Sequence, residues 1–333
     1  MADKPIKVLG AGSALLDLLV HVDDSFITEY AGGEKGGMTM PSAAEIATMQ
    51  TAAEKITTVT KTSGGSTANT LCGLLQLGIP CAFFGKTGKD ENGAIYRNAF
   101  AAIGGDCGSF KCNESVPTGR CLCLITPDSQ RTMRTDLGAS GTLTVDDVTD
   151  ADFEGITHFH IEGYLLYNMP VFLQLIKTAK AHNCTVSLDL ASFEVVRTFK
   201  VDLEAILRDY VDLVFANEDE AKAFSGSEDP MESLNILRKL CNTVCVKVGK
   251  DGAYIASESE DAIHVDAKLV KAIDTTGAGD LWQTGFLYGW LNGRSNALSG
   301  KYAAAVAAEV VQITGAQIPA ERWDVLRAEI SAE

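Results

Sequence analysis

The second half of the chain constrains the fold most. Ile156–Ile161 reads as a strand, 170–181 as a helix, Thr185–Asp189 as a strand, 201–209 as a helix and Val211–Phe215 as a strand, with Asn217–Glu220 opening another helix. Strands and helices that alternate at this spacing are joined by right-handed crossovers, which lay the strands parallel and place helices on both faces. An α/β architecture with a largely parallel sheet follows. In such sheets ligands gather at the carboxyl ends of the strands, which draws attention to Asp189, Asn217 and Glu220. Asp189 either faces a ligand or caps a turn. Asn217 and Glu220 stand one helical turn apart at a helix start, where they can order a divalent cation through water; a capping box has the same spacing and needs no ligand.

A second stretch points to chemistry. Ile273-Asp274-Thr275-Thr276-Gly277-Ala278-Gly279-Asp280 leads into a segment whose apolar residues Leu281, Trp282, Phe286 and Trp290 cover one broad helical face. The glycines therefore sit at a helix start, where unpaired N–H groups and the positive end of the dipole hold an anion. Asp280, in the first turn, is placed to take a proton from a hydroxyl, so the pair suggests phosphoryl transfer to an alcohol. An acidic N-cap with glycines for a tight turn has the same pattern.

Three other segments carry candidate ligand groups or false leads. Gly10-Ala11-Gly12 after the strand Ile6–Gly10 lacks the third glycine of a dinucleotide fingerprint, and Leu15–Val20 reads as extended, which disfavours an NAD-dependent dehydrogenase. Asp17 is a lone carboxylate in that apolar run and needs compensation, from substrate hydroxyls or from a turn. Ser63–Leu75 reads as Gly64 and Gly65, then a Ser/Thr N-cap, then a helix with Leu71, Leu74, Leu75 and Leu77 on one face and Asn69 one turn in. Gly85-Lys86-Thr87 is not a phosphate-binding P-loop, because residue 80 is proline; the short strand beginning at Cys81 is expected to leave the sheet at Gly85.

Residues 20–60 are irregular, with Gly32-Gly33, Gly36-Gly37 and Met38-Thr39-Met40, and read as an excursion from the sheet. A second interruption falls between 107 and 136, where Arg120–Ile125, the turn Pro127–Gln130 and Arg131–Arg134 form a hairpin. Arg131 and Arg134 either steady a substrate or phosphate or are solvated surface charges. Thr243–Ala253 is a buried-type strand running into a glycine turn at Gly249 and Gly252. The helix from Leu298 to about 311 carries alanine at 303, 304, 305, 307 and 308, which suits a flat purine or tight helix packing equally.

Charge narrows the partners. The 44 acidic and 28 basic residues give a net charge of -16, which disfavours nucleic acid and anionic membranes. An anionic nucleotide must then be held by local groups. No apolar run of 18 residues is present, and Met1–Pro5 leads straight into a strand, so a cytoplasmic location is expected. Cys121 and Cys123 share a face of their strand, but no histidine or second cysteine pair stands at zinc-site spacing, and reduced, buried thiols are the expected state of the nine cysteines.

The octapeptide at 273–280 and its helix resemble the signature of the ribokinase-like, or PfkB, family of carbohydrate and nucleoside kinases. The Gly-Gly segment, Gly85-x-x-Gly88-x-Asp90-x-x-Gly93, Asn-x-x-Glu and Gly315–Pro319 occur in that family's order. The resemblance covers nearly the whole chain. It implies one ribokinase-like domain over 1–330, with a three-layer α/β/α core and a discontinuous β lid formed by parts of 18–60 and 107–136. It implies Gly277, Ala278 and Gly279 as the anion hole and Asp280 as base. Asp17, Gly64, Gly65 and Asn69 become acceptor contacts, with Arg131 near the transferred phosphoryl group. Asn217, Glu220, Asp189, Gly249 and Gly252 become nucleotide contacts. It further implies ATP and Mg2+, the latter water-mediated at Glu220, and a monovalent cation such as K+ near Asp274.

The context of Asp17, the long interval before Gly64 and Pro117-Thr118-Gly119 resemble the adenosine kinase branch, so the expected acceptor is the 5′-hydroxyl of adenosine or a related nucleoside. The alternatives are a sugar kinase of ribose, fructose or 2-keto-3-deoxygluconate type and a noncatalytic carbohydrate-binding protein, which has no use for a base beside an anion hole. The protein is expected to act as a monomer or a homodimer.

Overall fold

The computed structural model describes residues 5–32, 35–128 and 130–332; Met1–Lys4, Gly33 of the Gly32-Gly33 pair and Ser129 of the 127–130 turn lie outside the described residues. In chain order the strands are β1 (Val8–Ala11), β2 (Leu15–His21), β3 (Met38–Thr39), β4 (Thr60–Gly64), β5 (Cys81–Gly88), β6 (Phe110–Asn113) and β7 (Thr118–Ile125). They continue with β8 (Arg131–Gly138), β9 (His158–Glu162), β10 (Thr185–Asp189), β11 (Leu213–Asn217), β12 (Thr243–Lys247), β13 (Ala253–Ser257) and β14 (Ile263–Val265).

The larger sheet runs β14-β13-β12-β11-β10-β9-β1-β5-β6. Neighbours from β6 to β12 are parallel, and β13 and β14 close one edge antiparallel. Alternate residues serve opposite faces. Leu9, Phe159, Val186, Leu188, Val214 and Val244 meet the helices Met169–Ala181, Phe193–Tyr210, Glu218–Ser225 and Pro230–Leu237. Val8, Phe83, Leu213, Phe215 and Cys245 meet Ser66–Gln76, Glu91–Ala102, Ala278–Leu291 and Asn296–Val310. With both faces covered the strands are apolar throughout, which gives the three-layer α/β/α core.

Aromatic packing fixes the helix that follows the glycine turn. Trp282 stacks on Phe286 with centroids 5.4 Å apart, and Phe215 of β11 meets both rings at 6.2 and 5.8 Å. Truncating a buried aromatic costs about 3–5 kcal/mol, so the first turn of this helix has a rigid base. The alanine-rich helix Asn296–Val310 packs on the same helix, with Ala303 against Gly285, so its small side chains serve close helix packing.

A smaller sheet, β3-β8-β7-β2-β4, forms the lid. Its outer face, Leu18, Val20, Leu122 and Leu124, packs on Ile46, Met49 and Ala53 of the helix Ala43–Glu54. Its inner face carries Leu15, Leu19, Cys121, Cys123 and Met133, with Asp17 in register beside Cys121.

The structure departs from the sequence reading at several points. The 20–60 excursion contains the 12-residue helix Ala43–Glu54, begun by a capping box between Ser42 and Glu45. β5 continues through Gly85-Lys86-Thr87 to Gly88, because β6 pairs with that stretch and keeps it in the sheet; β6 therefore belongs to the core and not to the lid. The expected helix at 201–209 begins earlier, at Phe193, with a kink at Phe199. The Ser/Thr N-cap is replaced by Gly65, whose φ of +99° suits glycine. Arg134 is fully buried, not solvated: its guanidinium donates to the Ala31, Gly32, Gly37 and Met133 carbonyls and ties the lid together.

Candidate active site

The carboxyl ends of β9, β10, β11 and β12 deliver Glu162, Asp189, Asn217 and Lys247 to a cavity whose other walls are the lid's inner face, the start of the helix Ser66–Gln76 and the turn 275–280. Asp17, Asn69, Gly65, Arg131, Gly277, Ala278, Gly279 and Glu220 also line it.

Asp280 stands in the first turn of Ala278–Leu291, after Gly277 at φ +73°. That left-handed residue turns the chain so that the helix N-terminus faces the cavity. The Asp280 carboxylate accepts a hydrogen bond from the Ser66 hydroxyl at 2.7 Å on Oδ1 and one from Asn69 Nδ2 at 2.8 Å on Oδ2. Burial raises its pKa above the ordinary carboxylate range, a shift that the Asn69 bond opposes and the nearby Asp189 reinforces. A half-buried carboxylate held from two sides and raised in pKa suits proton abstraction.

The amides expected to form the anion hole are not equivalent. Ala278 N–H donates to the Thr275 carbonyl at 3.1 Å and is spent on the turn. Gly277, Gly279 and Asp280 N–H have no such partner among the described residues. A methyl built on Gly279 would lie 3.1 Å from Lys247 Nζ, which places the ammonium beside these amides. Lys247 also faces Asp189 Oδ1 at 4.0 Å.

Asp17 is buried on the lid's inner face, and no protein donor reaches its carboxylate among the described residues. Burial drives its pKa up to about 7, against the attraction of Arg131 and with a push from Asp280. Gly64 explains how it fits, since a methyl there would overlap the Asp17 carboxyl group. Even with Arg131 nearby, a buried carboxylate without hydrogen-bond donors is costly unless a ligand supplies them. Asn69 offers the complementary group: its Oδ1 is buried and lacks a partner while its Nδ2 holds Asp280.

At the carboxyl end of β11, Asn217 caps its helix by accepting from Glu220 N–H at 2.8 Å, and Glu220 accepts from Asn217 N–H at 2.7 Å and Nδ2 at 2.8 Å. The capping box is thus real, and the same Glu220 lines the cavity. Burial, and next the charge of Asp189, push the Glu220 pKa up. Asp189 Oδ2 accepts from Ser66 at 3.1 Å, whereas its buried Oδ1 has no hydrogen-bond partner. Two carboxylates sharing a buried space, one with an orphaned oxygen, fit Mg2+, which binds through one or two carboxylates and keeps its waters.

Other expected contacts lie apart. Gly249 is exposed and Gly252 buried in the hairpin between β12 and β13, and neither lines the cavity. Asp274 is buried under the glycine turn. Its Oδ1 accepts from Thr276 N–H and hydroxyl at 2.8 and 2.7 Å, and its Oδ2 from Gly315 N–H at 2.8 Å. Those donors make it a clasp between two loops.

Three groups escaped the sequence reading. Ser66 links Asp280 to Asp189, Lys247 flanks the amides, and Glu162 accepts from Ser13 N–H at 2.9 Å and Thr67 N–H at 3.0 Å, joining the segment before β2 to the helix that carries Asn69. Burial raises the Glu162 pKa to about 7 despite these bonds.

Known proteins resemble the chain in sequence and in fold. The model of the pfkB family of carbohydrate kinases matches residues 41–323. The chain is 27% identical to "Adenosine kinase 2" of Arabidopsis thaliana over 303 residues, covering 84% of this chain and 86% of that protein. The structure of adenosine kinase from Sinorhizobium meliloti superposes with a TM-score of 0.90 at 29% identity, covering 99% of this chain and 100% of that one. That of a probable sugar kinase from Rhizobium etli CFN 42 gives 0.89 at 28% identity, covering 98% and 100%.

Proposed function

The chain belongs to the pfkB family of carbohydrate kinases, and on that premise we propose that this ATP-dependent phosphotransferase acts on the 5′-hydroxyl of adenosine or a closely related nucleoside. The observation that carries the acceptor reading is Asp17: a buried carboxylate without a hydrogen-bond donor from the protein among the described residues, set on a lid face that also carries Leu15, Leu19, Cys121, Cys123 and Met133. Paired ribose hydroxyls supply the missing donors, and Leu15, Met38, Met40 and Met133 offer the base a surface that a free sugar cannot fill. The similarity to adenosine kinases along almost the full chain supports the same acceptor.

In this reading Asp17 and Asn69 Oδ1 hold the ribose so that the 5′-hydroxyl points to Asp280. Asp280 takes the hydroxyl proton as the oxygen bonds to the γ-phosphorus and the bond to ADP breaks. Gly277, Gly279 and Asp280 amides, with the Lys247 ammonium, receive the charge on the transferred group. Arg131 balances Asp17 and Asp280 from the lid. Asp189 and Glu220 would hold Mg2+, whose chemistry is to neutralise the ATP phosphates. No step is assigned to K+. Closure of the lid desolvates the site and keeps water from the phosphoryl group. A cytoplasmic location, where the nine cysteines stay reduced, completes the reading. Among the described residues, no helix is long and apolar enough to cross a membrane.

The test is an ATP-consumption screen with adenosine, inosine, guanosine, cytidine, ribose, fructose, fructose 6-phosphate and 2-keto-3-deoxygluconate, with products identified by mass spectrometry. Adenosine or a close nucleoside is expected to show the highest kcat/KM. A sugar or sugar phosphate ahead of every nucleoside by about tenfold, or about 1.4 kcal/mol, refutes the acceptor assignment and leaves the kinase mechanism in place.

A further inference from the structure

The mechanism gives no role to the two thiols on the lid's inner face. Cys121 and Cys123 alternate on β7, so both side chains point to the same side, and their sulfurs lie 3.6 Å apart. β2 runs parallel to β7 with Asp17 in register with Cys121. One ligand atom from each of Asp17, Cys121 and Cys123 falls within 4.8 Å of the others, and all three residues are buried. No other trio of histidine, cysteine or acidic groups meets that spacing among the described residues. Thr135 on β8 donates its hydroxyl to Cys121 Sγ at 3.3 Å, the kind of outer contact that steadies a sulfur ligand.

The separation of the sulfurs discriminates between uses of the pair. Two thiolates on one tetrahedral Zn2+, each about 2.3 Å from the metal, stand about 3.8 Å apart. A disulfide requires about 2.05 Å, and β7 is held on both sides by β2 and β8, which resists that closure. The pair is preset for a bridging ion. The carboxylate supplies a third ligand, and water the fourth. Arg131, facing Asp17 and both cysteines, offsets the charge that remains when two thiols give up their protons.

We propose that Cys121, Cys123 and Asp17 form a site for a thiophilic divalent cation of the Zn2+ or Cd2+ class, and that the ion and the acceptor exclude each other. The exclusion rests on the acceptor reading, because Asp17 serves both ligands; the metal site itself does not. On binding, the two thiol protons pass to solvent, two metal–sulfur bonds form, and no oxidant or reductant is involved. The lid face that holds the acceptor's sugar thereby becomes the point at which a soft metal halts the enzyme.

Cd2+ titration of the purified full chain, followed by thiolate-to-metal charge-transfer absorbance, tests this without any acceptor present. One equivalent is expected to give the sulfur signal. Cys121→Ser, Cys123→Ser and Asp17→Asn should each weaken binding at least tenfold, whereas Cys112→Ser, at an exposed thiol, should not. Adenosine should displace the ion, and Zn2+ should inhibit competitively against acceptor but not against Mg·ATP. A sulfur signal unchanged in both Cys121→Ser and Cys123→Ser, or binding without one, refutes the site. Should those variants not fold, alkylation mapping of the wild-type protein decides: Cd2+ must shield Cys121 and Cys123 together, and failure to do so refutes the site. Cd2+ bound through both cysteines but not displaced by adenosine keeps the metal site and refutes the shared Asp17.

Discussion

Replacing Asp280 with asparagine separates the base from the scaffold. Ser66 Oγ lies within hydrogen-bond distance of both Asp280 Oδ1 and Asp189 Oδ2, at 2.7 and 3.1 Å, but it has one proton to give. In Asp280→Asn the amide oxygen can keep the bond from Asn69 Nδ2, while the new NH2 donates to Ser66 Oγ and frees the Ser66 proton for Asp189. Every bond around the position is retained, and a carboxylate whose pKa is raised by burial is removed. Folding should be preserved, and Tm at neutral pH should be equal to or above that of the wild type. Turnover should nevertheless fall, since an amide cannot accept the acceptor's proton.

General-base catalysis contributes about 10²- to 10⁴-fold, which corresponds to about 2.7–5.4 kcal/mol of barrier. ATP affinity should change little, because the backbone amides and Lys247 are untouched. Thermal melts, ATP titration and steady-state kinetics on one preparation read the three quantities. Turnover within about threefold of wild type, with Tm unchanged, refutes Asp280 as the base. A collapse of Tm refutes the exchange of hydrogen bonds through Ser66.

Gly64→Ala should leave the fold intact but displace the Asp17 carboxylate; losing hydrogen bonds to a charged group worth about 1.5–3 kcal/mol should lower acceptor kcat/KM about 10- to 150-fold, and an unchanged value in steady-state kinetics contradicts the grip. Lys247→Met should reduce kcat/KM for Mg·ATP by a similar factor, about 10- to 150-fold, measured by varying ATP at saturating acceptor. Asp17 and Glu162 are held near pKa 7 in the fold, above their ordinary values of 3.8 and 4.5. Raised carboxylates favour the protonated fold, so this contribution is complete below about pH 4 and is lost as pH rises through about 7; Tm should decline between about pH 4 and about pH 8 and level off above, and Asp17→Asn should flatten part of that decline. Hydrogen exchange in β2, β7 and β8 should slow more with acceptor plus a nonhydrolysable ATP analogue than in the helix Met169–Ala181, and equal protection contradicts lid closure.

What could be read from the sequence was set by local periodicity. The alternation after residue 150 and the glycine turn before Leu281 declare themselves because each is decided within a few residues. The helix Ala43–Glu54 does not, since its buried face is only Ile46, Met49 and Ala53 among alanines and threonines; Ser42-x-x-Glu45 was the available signal. Ser66 looked like a cap because Ser precedes an apolar helix, whereas the positive φ of Gly65 starts the helix one residue earlier and releases the hydroxyl for Asp280. Lys247 and Glu162 were findable. Each is the last residue of a parallel strand, and the strand-end rule that singled out Asp189 and Asn217 applies equally to them. Which donors would reach Asp17, and that Ala278 N–H is spent on Thr275, depend on segments distant in sequence or on turn geometry.

The charges around the cavity explain how a protein of net charge -16 takes an anionic nucleotide. Asp17, Glu162, Asp189, Glu220 and Asp280 face Arg131 and Lys247 across one enclosure, so five carboxylates meet two cations. Without ligands the enclosure relieves its charge by holding protons, as the raised pKa values of Asp17, Glu162, Glu220 and Asp280 indicate. Bare ATP would add negative charge to the least favourable place. On the proposed function, Asp189 and Glu220 would hold the cation of the magnesium complex, and the amides of Gly277, Gly279 and Asp280, with Lys247, would receive its phosphates. On the same proposal, acceptor hydroxyls would give Asp17 the donors that the protein withholds, and a closed lid would strengthen each of these attractions by excluding water. The acidic lining would thus select the form in which the nucleotide enters, and would leave Asp280 ionised once the neighbouring carboxylates have found their partners.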